Sequence, residues 1–277
     1  MRGVRLLLSA CWLSMAGGCA VLKESSDPES SVCGWIKEPL VFAMWSHLAG
    51  EPDQERAAHI PNAEPISHRT KDGRILRGYK LKSTAAGGAI VGRLLVAQGN
   101  AMLSDRLLSS LTGFSDAGLE VYIFDYRGYG NSEGRRRLKA MVGDYRELAS
   151  ALLASSDGRR ALYGISFGGV VVLNVIGAGA AYDRAVIDST PSRISNIGCP
   201  PQYDPVANLP SDASNVLLVA GERDTVVSIP DSEELVSRGK TLGARTEVRS
   251  EYAHPFMDQD VETHRSRLDL IRSFLLE

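Results

Sequence analysis

The sequence predicts an α/β fold: a mainly parallel eight-stranded sheet with an antiparallel leading hairpin, helices on both faces and a short or absent cap. Three observations predict it. From Glu64 onward, short apolar runs alternate with amphipathic stretches. Ala89–Ala97 is apolar almost throughout, as a strand buried on both faces must be. Lys71-Asp72-Gly73 lies between two strand-like segments and reads as a hairpin turn. The chain has 277 residues, 44% hydrophobic and 23% charged, an ordinary globular balance that excludes a disordered chain. Its net charge of -2 lacks the basic footprint of a nucleic-acid partner.

Taken in order, the strands are expected at Ile66–Arg69, Arg74–Lys82, Ala89–Ala97, Val121–Asp125, Ala161–Gly164, Arg184–Asp188, Val216–Ala220 and Arg245–Glu251. Helices are expected near Met102–Ala117, Ala140–Ser155, Phe167–Ala178, Pro230–Leu242 and Glu262–Leu276. In the last of these, Leu268, Ile271, Phe274 and Leu275 share a face. Such sheets bind ligands beyond the C-terminal ends of their strands. The roughly 25 residues between Asp188 and Val216 are Pro-rich and short, so they predict a rim and an open site, without a cap domain.

The amino terminus reads differently. Arg2 and Arg5 precede an apolar stretch from Leu6 to Ala16, too short to cross a bilayer and the right size for a signal core. Ala16-Gly17-Gly18-Cys19 then resembles a bacterial lipoprotein signal with Cys19 as the lipidated residue. Cys11 is a rival in its letters, but it would leave too short an apolar core. An ordinary secreted protein is the plainer alternative. The expected division is residues 1–18 as signal peptide, 19–63 as lipidated tether and N-terminal helix, and 64–277 as the catalytic fold. The expected location is the cell envelope, facing the periplasm or exterior. Val21–Ser31 reads as a polar tether, and Glu51–Ala63 as a linker. Between them, Ile36, Leu40, Met44 and Leu48 recur every four residues and make one helix face, destined either for a membrane surface or for the protein's own core. Cys33 and Cys199 remain as an even pair, which a disulfide or two unrelated buried thiols would equally explain.

The chemistry gathers at strand ends. Gly164-Ile165-Ser166-Phe167-Gly168 is a G-x-S-x-G motif between an apolar strand and an apolar helix, the setting of a nucleophile elbow. Ser166 needs a base to become a nucleophile. His254, after the last strand, fits that role, and Asp224, after Val216–Ala220, fits the acid that orients it. Asp188 and Glu222 compete for the acid. His47, His59 and His68 precede the serine, and His264 falls in the last helix as a surface residue. The oxyanion donors are expected at the Phe167 N–H and at the Asn100 N–H in Gln98-Gly99-Asn100-Ala101, with Ala101 the alternative. Arg127, in Asp125-Tyr126-Arg127-Gly128-Tyr129-Gly130, reads as a loop anchor. Arg135-Arg136-Arg137 reads as a solvated turn. No residues call for a metal or cofactor.

Together these motifs resemble the α/β-hydrolase superfamily over about Glu64–Glu277. The Gln98–Ala101 and Asp125–Gly134 stretches are most similar to its BEM46-like group of membrane-tethered serine hydrolases, although Gln98 stands where that group has histidine. The resemblance implies a serine hydrolase of carboxyl esters or thioesters, with a small-molecule or lipid ester as its partner. A serine aminopeptidase and a non-catalytic envelope scaffold are the alternatives.

Overall fold

A computed structural model describes residues 27–154, 158–258 and 260–277. The expected signal peptide, Cys11 and the lipidation site Cys19 lie outside the described residues. Eight strands form one sheet: β1 (Ala63–Arg69), β2 (Ile75–Leu81), β3 (Gly92–Ala97), β4 (Leu119–Phe124), β5 (Arg159–Ile165), β6 (Arg184–Asp188), β7 (Val216–Gly221) and β8 (Arg245–Arg249). Their order is β1-β2-β4-β3-β5-β6-β7-β8. β1 and β2 form the antiparallel hairpin, β2 joins β4 antiparallel, and all later pairings are parallel.

The helices are α1 (Lys37–Ala49), α2 (Gln54–Ala58), α3 (Ser104–Asp116), α4 (Leu138–Leu153), α5 (Phe167–Gly177), α6 (Ile229–Thr241) and α7 (Val261–Leu276). Alternation along the strands builds two cores. Leu95, Leu162, Ile187 and Leu218 pack on one side with α1, α4, α5 and α6. Leu94, Val96, Tyr163 and Val219 face the other side with α3 and α7. Between β6 and β7 the chain makes three short 3₁₀ turns at residues 195–197, 201–203 and 205–208, a rim without a cap domain. No helix among the described residues is long and apolar enough to cross a membrane.

The segment before the sheet differs from its tether and linker readings, and its helix leaves the four-residue stripe off the protein's own core. Ile36, Leu40, Met44 and Leu48 are all exposed, with Leu48 at the edge of the cavity that holds Ser166, while Glu38, Phe42 and Ala49 are buried and Trp45 packs on the core. The supposed tether has a buried end: the Glu29 carboxylate accepts from Arg127 Nη1 at 3.3 Å and Arg74 Nη2 at 3.2 Å. The supposed linker contains α2, tied to α3 because Asp105 accepts from Arg56 Nη1 at 2.8 Å and from the Asp53 amide at 2.9 Å.

Two buried side chains hold the loops around the site. Arg127 donates Nε to Asp144 of α4 at 2.9 Å and Nη2 to Asp72 of the hairpin turn at 2.9 Å. Asp125, just after β4, accepts the Ser104 amide at 2.7 Å and so holds the start of α3. Burial outweighs that hydrogen bond and pushes the Asp125 carboxyl from 3.8 up to about 6. The folded protein therefore binds the proton more tightly than the unfolded chain, and stability falls as pH rises from about 4 through 6. Asp125→Asn keeps the acceptor and removes the charge. It should raise the melting temperature at pH 7.5, with the gain fading at pH 4 in thermal denaturation followed at both values.

Candidate active site

The site begins where β5 turns into α5. Ser166 sits at that junction with φ 54° and ψ -115°, a left-handed conformation costly for a residue with a Cβ. Three hydrogen bonds hold it. Its amide donates to the Asp188 carbonyl at 2.7 Å, and its carbonyl accepts from Thr190 Oγ1 and the Gly169 amide, each at 2.9 Å. The flanking glycines are steric requirements. A Cβ on Gly164 would lie 2.6 Å from the Gly168 carbonyl oxygen, and one on Gly168 would collide with the Ala97 carbonyl oxygen of β3. The turn thus carries Ser166 above the strand ends, with the first amides of α5 behind it.

His254 follows β8 in the loop before α7, and Asp224 follows β7. They meet at a hydrogen bond of 2.8 Å between His254 Nδ1 and Asp224 Oδ2. Both residues are buried. The other oxygen of Asp224 accepts the Val226 and Val227 amides, each at 2.8 Å. Burial works against the charge of Asp224, but the bonds from His254 and these amides outweigh it and hold the carboxyl below its usual range. An ionised Asp224 in this position keeps a hydrogen on Nδ1 and leaves Nε2 free to accept. Ser166 and His254 line one cavity of about 620 Å³ beside Gly99, Asn100, Ala101 and Phe167.

The rival acid, Asp188, is occupied elsewhere. It is fully buried, accepts from Arg267 Nε at 3.1 Å and from the Tyr163 hydroxyl at 3.1 Å, and does not line the cavity. Glu222 is exposed. His264 is half-buried rather than on the surface: its ring lies 5.1 Å from that of Phe256, and burial lowers its pKa. In the Gln98–Ala101 loop, the Gln98 carbonyl accepts from Tyr126 at 2.6 Å, and Asn100 Oδ1 accepts from Tyr129 at 3.3 Å. Ala101 has φ 56°. The loop is therefore pinned through its carbonyl and side-chain oxygens, with Asn100 and Ala101 against the cavity.

Cys33 and Cys199 are joined in a disulfide, with Cα atoms 4.0 Å apart, linking the chain before α1 to the β6–β7 rim. The sequence left α1 between a membrane surface and the protein's own core and gave no sign that it borders the site, which it does through Val41, Phe42 and Trp45. The one available signal was Cys33, four residues ahead of α1. Among the described residues, no group of three or more His, Cys, Asp or Glu could hold a metal ion. Because Asp188→Asn would leave the buried Arg267 charge poorly matched, it should cost about 3 kcal/mol of stability, measured by urea denaturation.

Comparison with known proteins agrees with this architecture. The family model described as serine aminopeptidase, S33, matches residues 88–201. The chain is 26% identical over 285 residues to the Mycobacterium tuberculosis protein Rv2307c, covering 90% of this chain and 95% of that one. It is 28% identical over 235 residues to YfhR of Escherichia coli K12, covering 77% and 82%. Among solved structures, the esterase Pf2001 of Pyrococcus furiosus superposes with a TM-score of 0.61 at 15% identity, covering 82% of this chain and 95% of that one. By its sheet, its strand–turn–helix at Ser166 and these likenesses, the chain has the α/β-hydrolase fold.

Proposed function

We propose that the protein is a serine hydrolase that cleaves carboxyl esters or thioesters through an acyl-enzyme intermediate. One observation carries this reading: a strained, glycine-framed Ser166 shares a cavity with a histidine whose Nδ1 is held by a buried aspartate. His254 Nε2 takes the Ser166 proton as Oγ attacks the acyl carbon, and His254 returns that proton to the leaving alcohol or thiol. Water, deprotonated by the same nitrogen, then releases the acid and regenerates Ser166. Asp224 keeps the imidazole in the required tautomer and stabilises its charged form. The Phe167 amide, with that of Asn100 or Ala101, is assigned to the oxyanion.

The aminopeptidase reading has the matched family description in its favour. It requires a carboxylate for the substrate's terminal amine. The two cavity-lining carboxylates are already engaged. Glu38 accepts the Cys33 and Leu138 amides at 2.6 and 2.8 Å, and Asp231 accepts the Ser228 hydroxyl and amide at 2.6 and 3.0 Å. Ester or thioester substrates fit better.

We also propose that lipid on Cys19 tethers the mature chain to a membrane of the cell envelope. Support lies in the sequence alone: Arg2 and Arg5, the short apolar core, and small residues before the cysteine. In cell fractionation, Cys19→Ala should move the protein from the membrane to the soluble fraction; unchanged membrane association would refute the anchor. For catalysis, Ser166→Ala should abolish nitrophenyl-ester turnover, and Asp224→Asn should lower kcat by about 10⁴ through the wrong tautomer. Folded wild-type protein that turns over neither esters nor thioesters would instead favour a binding scaffold.

A further inference from the structure

We propose that α1 is a substrate-binding element whose inner side forms an acyl-chain wall facing Ser166, so that the preferred substrate carries an extended aliphatic acyl chain. This deepens the hydrolase reading and rests on it. α1 precedes β1 in the chain, yet it borders the cavity that holds Ser166. The rings of Phe42 and Trp45 lie 5.5 and 6.4 Å from that of Phe167, the residue next to Ser166. Val41 and Leu48 continue the wall along the same cavity, and Ile194 and Ile197 of the β6–β7 rim also line it. Its polar catalytic groups gather at the strand ends, while α1 and the rim offer an apolar slot. A volume of about 620 Å³ lies within the ~300–1,000 Å³ of sites that enclose a sizeable ligand, far more than an acetyl group fills.

A binding wall must be held still, and α1 is fastened at its start from two directions. The Cys33–Cys199 bond ties it to the rim, and Lys37 Nζ donates to the Ile197 carbonyl at 2.6 Å. The buried Glu38 carboxylate accepts the Cys33 amide at 2.6 Å and, on the other side, the Leu138 amide at the start of α4 at 2.8 Å. These fastenings fix the distance between α1 and the rim, which is the width of the slot. The wall and the nucleophile are coupled through Phe167, so an acyl chain lying along Trp45 also packs beside the residue assigned to the oxyanion.

The test compares kcat/KM on 4-nitrophenyl decanoate and 4-nitrophenyl acetate, since each buried methylene is worth about four-fold. Wild type should strongly prefer the decanoate. Trp45→Ala should reduce the decanoate-to-acetate ratio ten-fold or more. Leu48→Ala, at a position 63% exposed where truncation leaves the core intact, should reduce it about three-fold. Leu40→Ala, on the outward side of the same helix and 64% exposed, should change neither rate. Binding of decanoate to the Ser166→Ala protein, followed by calorimetry, reads the same wall without catalysis and should weaken about ten-fold on adding Trp45→Ala. No chain-length preference in wild type, or a ratio and a decanoate affinity both unmoved by Trp45→Ala and Leu48→Ala, would overturn the proposal. Decanoate binding that depends on Trp45, without turnover of either ester, would remove the hydrolase reading while upholding the acyl wall.

Discussion

The turn at Ser166 is the constraint on which the site depends. A serine at φ 54° costs on the order of 1–3 kcal/mol, and it persists only where the surroundings over-determine it. Here they do. β6 supplies the Asp188 carbonyl to the Ser166 amide, Thr190 just beyond β6 holds the Ser166 carbonyl, and Gly168 lets α5 press against the backbone of β3. The central strands thus converge on one residue. The same convergence sets the first turn of α5 behind the serine hydroxyl, where its free amides and the helix dipole favour a developing negative charge.

A second layer of polar contacts converts that local geometry into a cavity. Arg127 gathers the β1–β2 turn, α4 and the buried Glu29. Arg267 of α7 plays the matching part on the far side: it binds Asp188 at 3.1 Å and donates to the Ala253 carbonyl, one residue before His254, at 2.8 Å. The loop carrying His254 is thereby tied to the strand end that also holds Ser166. Charge is buried at both places, and each guanidinium meets more than one acceptor, as such burial requires. Neither arginine lines the cavity.

Much of this was legible in the sequence because parallel strands buried on both faces write themselves as continuous apolar runs. Leu119–Phe124 and Val216–Gly221 are buried at every position, and both lie where the apolar runs predicted strands. What escaped has physical reasons. α2 is five residues long, too short to show a period, and its tie to α3 runs through Asp105, 49 residues from Arg56. The four-residue stripe of α1 was readable as a stripe, but its direction was not. The helix instead buries Phe42 and half-buries Trp45, whose rings pack on Phe167, with the Cys33 link holding its start. Asp188 and Asp224 both follow apolar runs, Asp188 closing β6 and Asp224 lying three residues beyond β7, so the sequence alone left Asp188 a competitor for the acid. Arg267, 79 residues beyond Asp188, engages that carboxylate, while His254 engages Asp224. Glu29 looked like part of a polar tether for the same reason, since its partner Arg127 is 98 residues away.

The most direct test of the central claim is a crystal structure of the protein after reaction with an alkyl fluorophosphonate. Phosphorus should be bonded to Ser166 Oγ, with a phosphonyl oxygen within hydrogen-bonding distance of the Phe167 amide and of Asn100 or Ala101, and the His254 ring still on Asp224. An unmodified Ser166 in folded protein, or an adduct whose oxygen points away from these amides, would contradict it.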